Sequence, residues 1–122
     1  MSAKTALIEA LTKIGYEEGK TLFLQGSVNP EVSYPPEFVT FWTEYTSNVS
    51  QFDNATYRTA WNMTVILYAN DSEIVNTKPA EIIAALEAAG FVCVGKGEDI
   101  LSDEETHTGW AMEFIFQEDK EF

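Results

Sequence analysis

The side chains that most often carry chemistry are scarce in this chain: it has one histidine, His107, and one cysteine, Cys93. Nucleophilic catalysis needs a Ser, Thr or Cys beside a base that a third group orients. His107 sits in DEETHTGW, a turn-like acidic stretch without a nucleophile-elbow pattern, and reads as a loop residue. Cys93 lies inside the apolar GFVCVG and reads as a small buried hydrophobe, unable to form a disulfide within the chain. One His and one Cys do not make a zinc cluster. GKGED, residues 95–99, lacks the spacing and the following Ser or Thr of a phosphate loop. GEDILSDEE, residues 97–105, lacks the alternating acids around a central Gly that an EF-hand needs. A weak divalent-ion site shared between subunits is the metal reading left. No spacing singles out a carboxylate pair for acid–base work. The sequence therefore nominates no catalytic, cofactor-binding or metal residue and reads as a non-enzyme.

The charge is the strongest compositional signal: 20 acidic residues against 7 basic, a net charge of −13. Such a field repels phosphate backbones and anionic lipid, which argues against direct nucleic-acid binding and membrane attachment. Nine of the twenty acids fall in residues 98–122, as a solvated surface or as a specific acidic interface. With 45% hydrophobic and 13% aromatic residues over 122 positions, one globular domain spanning 1–122 is expected. The longest apolar run, VILYA, is strand-sized and far short of the roughly 20 residues of a membrane helix. The first residues carry apolar side chains at helical spacing instead of a continuous apolar run. The expectation is an intracellular protein, in which the sequons at Asn48, Asn54, Asn62 and Asn70 are coincidental.

The elements follow from periodicity. Ala3, Ala6, Leu7, Ala10, Leu11 and Ile14 keep helical spacing, with Ser2 as cap and Gly15 as stop. TLFLQG reads as a short strand, and the proline-rich SVNPEVSYPP as loop. EFVTFWTEY predicts a strand with Phe38, Thr40, Trp42 and Glu44 on one face and Val39, Phe41, Thr43 and Tyr45 on the other. A ten-residue connection, TSNVSQFDNA, should project before the long strand TYRTAWNMTVILYA. A second helix is expected from near Thr77, with Pro79 in its first turn, a stripe of Ile82, Ile83, Leu86 and Ala89, and a stop at Gly90. FVCVG reads as a short apolar strand, KGEDILSDEETHTG as an acidic loop, and WAMEFIFQ as a closing strand. The two long consecutive strands must pair antiparallel, since their connection is too short for a crossover helix. The fold class is α+β: a mixed, mainly antiparallel sheet packed against two helices, with a projecting loop between the long strands. Two short helices do not bury both sheet faces completely, and the Ala- and Ile-rich stripe of the second helix covers one of them. Val39, Phe41 and Tyr45, with Tyr57 or Tyr68, are then left to the first helix, a long loop or another subunit.

TALIEALTKIGY, YPPEFVTFW, YRTAWNMTVILYAND and IIAALEAAGF, in this order and followed by an acidic stretch and a closing strand, cover nearly the whole chain. This pattern resembles the tail-terminator (tail-completion, or minor tail) proteins of long-tailed bacteriophages and prophages, especially those of Gram-positive hosts. Pro79 departs from the more continuous helix of similar proteins. The resemblance implies a ring, generally hexameric, on the head-proximal end of the tail tube. It would stop polymerisation and offer a surface to the head's connector, with no cofactor. The implied partners are other copies of the chain, the tail tube protein and the head-completion or connector protein. The implied locations are the host cytoplasm during assembly and then the virion. The residues nominated for these contacts are Phe41, Tyr45, Tyr57 and Arg58 on the strands, and Phe52 and Asp53 in the loop. Glu98, Asp99, Asp103, Glu104 and Glu105 are nominated for a DNA-repelling lumen or a partner ring. The rival reading is a small acidic inhibitor that mimics DNA and occupies a basic groove. Such a mimic needs carboxylates spaced like phosphates, and here they cluster in the last third of the chain. If the acidic stretch serves joining, reversing the charges of Asp103, Glu104 and Glu105 should impair head–tail joining or DNA passage in an assembly assay without changing the melting curve. Normal assembly by those variants would remove that role.

Overall fold

In a computed structural model that describes residues 2–24, 36–48, 56–101 and 107–121, the chain forms one five-stranded sheet with two helices, an α+β fold. The elements are α1 (Ala3–Lys13), β1 (Leu22–Leu24), β2 (Glu37–Asn48), β3 (Thr56–Ala69), α2 (Ser72–Ala88), β4 (Val92–Leu101) and β5 (Thr108–Glu121). The sheet order is β1-β2-β3-β5-β4; β1 and β2 are parallel and every other pair is antiparallel. Of the connection expected to project between the long strands, Thr46, Ser47 and Asn48 belong to β2, and residues 49–55 lie outside the described residues.

Both helices end by the same device. At the end of α1 the Gly15 N–H donates to the Thr12 carbonyl at 3.1 Å and the Tyr16 N–H to the Leu11 carbonyl at 3.1 Å. At the end of α2 the Gly90 N–H donates to Glu87 at 3.1 Å and the Phe91 N–H to Leu86 at 3.0 Å. Each glycine has a positive φ, 107° and 100°, which lets the chain reverse without a Cβ clash. The reversal drops the next aromatic, Tyr16 or Phe91, into the core beside a buried leucine. The motifs KIGY and AAGF thus stop a helix and supply a core aromatic in one step.

The start of α2 corrects the sequence reading. The helix begins at Ser72 and not near Thr77, because the Asp71 carboxylate caps it by accepting the Glu73 N–H at 2.9 Å. Pro79 therefore sits inside the helix, where the missing N–H deprives Val75 of its helical donor at a cost of about 3 kcal/mol. Its ring is buried with Val75, Ile82 and Leu86, which offsets part of that cost. Ala89, expected in the apolar stripe, is the exposed C-cap, and Ile83 is half-buried.

The core lies between one sheet face and both helices. Ala3, Ala6, Leu7, Ala10 and Leu11 of α1 and Ile82 and Leu86 of α2 form one cluster with Val39, Phe41, Met63, Val65, Leu67, Met112 and Phe114. Burying each large member stabilises by about 1.5–3 kcal/mol. The helices therefore cover the face that carries Val39 and Phe41. Phe41, nominated as a partner contact, is 3% exposed and belongs to this core.

Two further expectations are corrected. The strand read as FVCVG runs on to Leu101, so part of the supposed acidic loop is strand. It is an edge strand with bulges between Cys93 and Gly95 and between Gly95 and Glu98, and its Val92 and Val94 are exposed while Cys93 is only half-buried. The closing strand extends past Gln117 to Glu121. His107 lies outside the strands, as expected, just before β5, and is buried against Phe38, with ring centroids 5.9 Å apart.

The second β4 bulge contains Gly97, whose φ is 125° and where a Cβ would run into the Trp110 indole. Gly97→Ala is expected to lower stability by about 2–4 kcal/mol through strain and collision, read by urea unfolding. Gly95→Ala meets no atom within 4 Å and should stay within about 1 kcal/mol. Equal effects at the two positions would show that the Trp110 contact does not hold this edge.

Candidate interaction surface

The second face of the sheet is set by the alternation that builds the core. Opposite the helices, register places Phe38, Tyr68, Gly109 and Ile100 in one cross-strand row. The next rows are Thr40, Ile66, Ala111 and Glu98, then Trp42, Thr64, Glu113 and Gly95. Phe38 and Tyr68 stack with centroids 5.2 Å apart. Gly109 is small of necessity, since a Cβ there would lie 2.7 Å from Ile100 and 2.8 Å from Tyr68. No helix or strand lies over this outer face among the described residues.

A bulge in β2 changes what the face displays. Thr43 pairs with Met63 and Tyr45 with Asn62, so Glu44 is the extra residue. The insertion turns Tyr45 away from Phe41's face and onto the outer face, contrary to the simple alternation expected from the sequence. Tyr45 is 62% exposed there, in one row with Asn62, Ile115 and Val92. Glu44 is tied down: its Oε1 accepts the Trp42 indole N–H at 2.9 Å and the Thr64 hydroxyl at 3.0 Å. Between these strands lies an open groove of about 550 Å³, lined by Trp42, Ile66, Ile100 and Ala111 and by the carboxylates Glu44, Glu98 and Glu113.

The nominated acids separate. Glu98 pairs with Ala111 on the outer face, whereas Asp99 pairs with Trp110, whose side chain packs on the core side. Asp99 lines a smaller groove with Ser72, Val75 and Asn76 at the start of α2, where a carboxylate complements the helix dipole. Tyr57 and Arg58 lie in β3. Phe52, Asp53, Asp103, Glu104 and Glu105 lie outside the described residues. Among the described residues no group of three His, Cys, Asp or Glu is placed to hold a metal ion, and no described helix is long and apolar enough to cross a membrane.

One polar junction escaped the sequence reading. The Tyr16 hydroxyl, buried just after α1, donates a short hydrogen bond to the Glu37 carboxylate at the first residue of β2. Lys78 of α2 stands 5.8 Å from the Tyr16 ring centroid and pairs with Glu81 at 3.3 Å. Burial raises the phenol's pKa far above its ordinary value, and the Glu37 hydrogen bond and the charges of Glu37 and Glu81 push the same way. A phenol held neutral is a poor base and nucleophile, so the junction ties α1, β2 and α2 together structurally. The residues are 21 apart in sequence, and no local pattern announces the pair.

No protein-family model matches the chain, and no curated protein matches it.

The Tyr16 pKa fixes the sign of a pH effect. The phenol ionises near 10.0 in the unfolded chain and well above that in the folded one, so its contribution is intact below pH 10 and is lost as pH rises. Tyr16→Phe should lower stability by about 1–3 kcal/mol at pH 7, because the Glu37 carboxylate loses its donor. Between pH 10 and 11.5 the variant should lose stability less steeply than the parent, read by urea unfolding at each pH. Parallel curves would show that Tyr16 ionises equally in both states.

Proposed function

We propose that the chain is a ring-forming structural protein that caps the head-proximal end of a phage tail tube, stops its growth and presents the surface for head joining. The observation that carries this reading is a pair of unlike apolar patches on opposite edges of the sheet. One is Val92 and Val94 of β4, 62% and 57% exposed. The other is a groove of about 410 Å³ at the β1 edge, lined by Ile8, Leu22, Phe23 and Leu24 with Lys4 and Glu18 beside them. Unlike patches on opposite sides favour a head-to-tail contact, which closes into a ring when the rotation per subunit allows. Exposed apolar side chains on an edge strand otherwise invite uncontrolled pairing, so an edge-to-edge neighbour gives them a use. The acidic balance suits an annulus around passing DNA, since like charge keeps the polymer from sticking. A binding or assembly role also agrees with the order and texture of the sequence segments that resemble tail terminators.

Light scattering at native concentration is the test, coupled to addition of the protein to elongating tail tubes. A mass of six 13.7 kDa chains, reduced to one by Val94→Arg, together with arrested tubes, is the expected result. A parent monomer that leaves tube growth untouched would overturn the proposal. The DNA-mimic reading would then predict instead a tight, salt-sensitive complex with a basic DNA-binding protein.

A further inference from the structure

We propose that the outer-face groove is a docking site for a protein segment carrying an arginine between apolar residues, supplied by a protein other than a second copy of this chain. The groove is half apolar and half anionic in a way that specifies its occupant. Half-buried Trp42, Ile100 and Ala111 offer apolar surface above the buried Ile66, while Glu44, Glu98 and Glu113 bring three carboxylates to the same 550 Å³ opening. No cation lines it among the described side chains. Three like charges around an apolar floor repel one another, and a cation that desolvates there relieves the repulsion.

Glu44 makes the site specific. The β2 bulge puts it on the outer face, and the Trp42 and Thr64 donors hold Oε1, so the carboxylate is oriented before any partner arrives. Those two bonds engage Oε1 and leave Oε2 to be addressed. A guanidinium fits better than an ammonium, because its planar fork matches a carboxylate and its face stacks on an indole such as Trp42. Nucleic acids and phosphorylated ligands bring the wrong sign. A second copy is also a poor occupant: the chain has 7 cations to 20 acids, and Lys20 and Lys78 are paired with Glu17 and Glu81. The groove shares β4 with the Val92 and Val94 patch, but neither valine lines it. The inference rests on the groove's own chemistry and holds whether or not the chain caps a tail tube.

The probe is a short synthetic peptide alternating arginine with valine, titrated by calorimetry against the full chain at low salt, with a glutamate-for-arginine peptide as control. The double variant Glu98→Gln/Glu113→Gln removes two groove charges. Glu9→Gln/Glu87→Gln removes two exposed charges from the helices and changes the net charge equally. The groove variant should raise the dissociation constant about tenfold, roughly 1.4 kcal/mol, and the helix variant less than about threefold, with melting curves unchanged in both. Failure of the arginine peptide to bind overturns the proposal, as does an equal loss in the two variants, which would reveal attraction to the general acidic field. Ala111→Arg adds a second arm: a fall in native mass would show that a second copy occupies the face, again overturning it. A monomeric parent that leaves tube growth untouched but still binds the peptide through Glu98 and Glu113 sinks the ring and leaves the groove standing.

Discussion

The register of β2, β3 and β5 is the constraint on which everything else depends. Three long strands pair so that Val39, Leu67 and Trp110 form one row, Phe41, Val65 and Met112 the next, and Thr43, Met63 and Phe114 a third. Because side chains alternate with a period of two, a slip of one residue in any strand would send its apolar set to the wrong face. The rows give the helices a continuous apolar surface. The two helix stops deliver Tyr16 and Phe91 onto the same side, so sheet and helices agree on where the core is.

The β2 bulge breaks that register in a controlled way. One extra residue, Glu44, shifts the remainder of β2 against β3 and hands Tyr45 to the opposite face. The bulge is stabilised by two side-chain hydrogen bonds to Glu44, which hold the inserted residue in place. Its consequence reaches beyond folding. It converts what would be a plain outer face into one with a fixed carboxylate beside an indole. Sheet bulges often re-aim a side chain where a surface has work to do.

Among the described residues of the protein the chemistry-bearing side chains are dispersed: His107 packs on Phe38, Cys93 is half-buried on an edge strand, and Tyr16 is tied to Glu37. Its distinctive surfaces are apolar edges and an acidic, partly apolar face. The proposed ring uses the edges and the proposed docking site uses the face, so the two roles do not compete for the same atoms. In both proposals the charge balance favours basic partners over polyanions.

Much of this was legible from local pattern alone. The helix from Ala3, the strand TYRTAWNMTVILYA, the glycine stops and the one-sided α+β sheet follow from periodicity and from backbone rules that act over a few residues. The start of α2 was misjudged because a proline is usually a first-turn residue, and the Asp71 cap outweighed that signal. The course of β4 through KGEDIL was hidden because glycines and acids look like loop until β5 offers them a ladder. Of the nominated contact residues, Phe41 is buried in the core and Tyr45 is exposed on the other face, because helix placement and a bulge decide exposure and alternation cannot. The sequence by itself determined most of the helix and strand segments, and that the chain is acidic, since propensity, capping and charge are local or additive properties. Which acids share a face, which aromatics are covered and how Tyr16 meets Glu37 were decided only by the tertiary structure, because those distances depend on how remote segments pair.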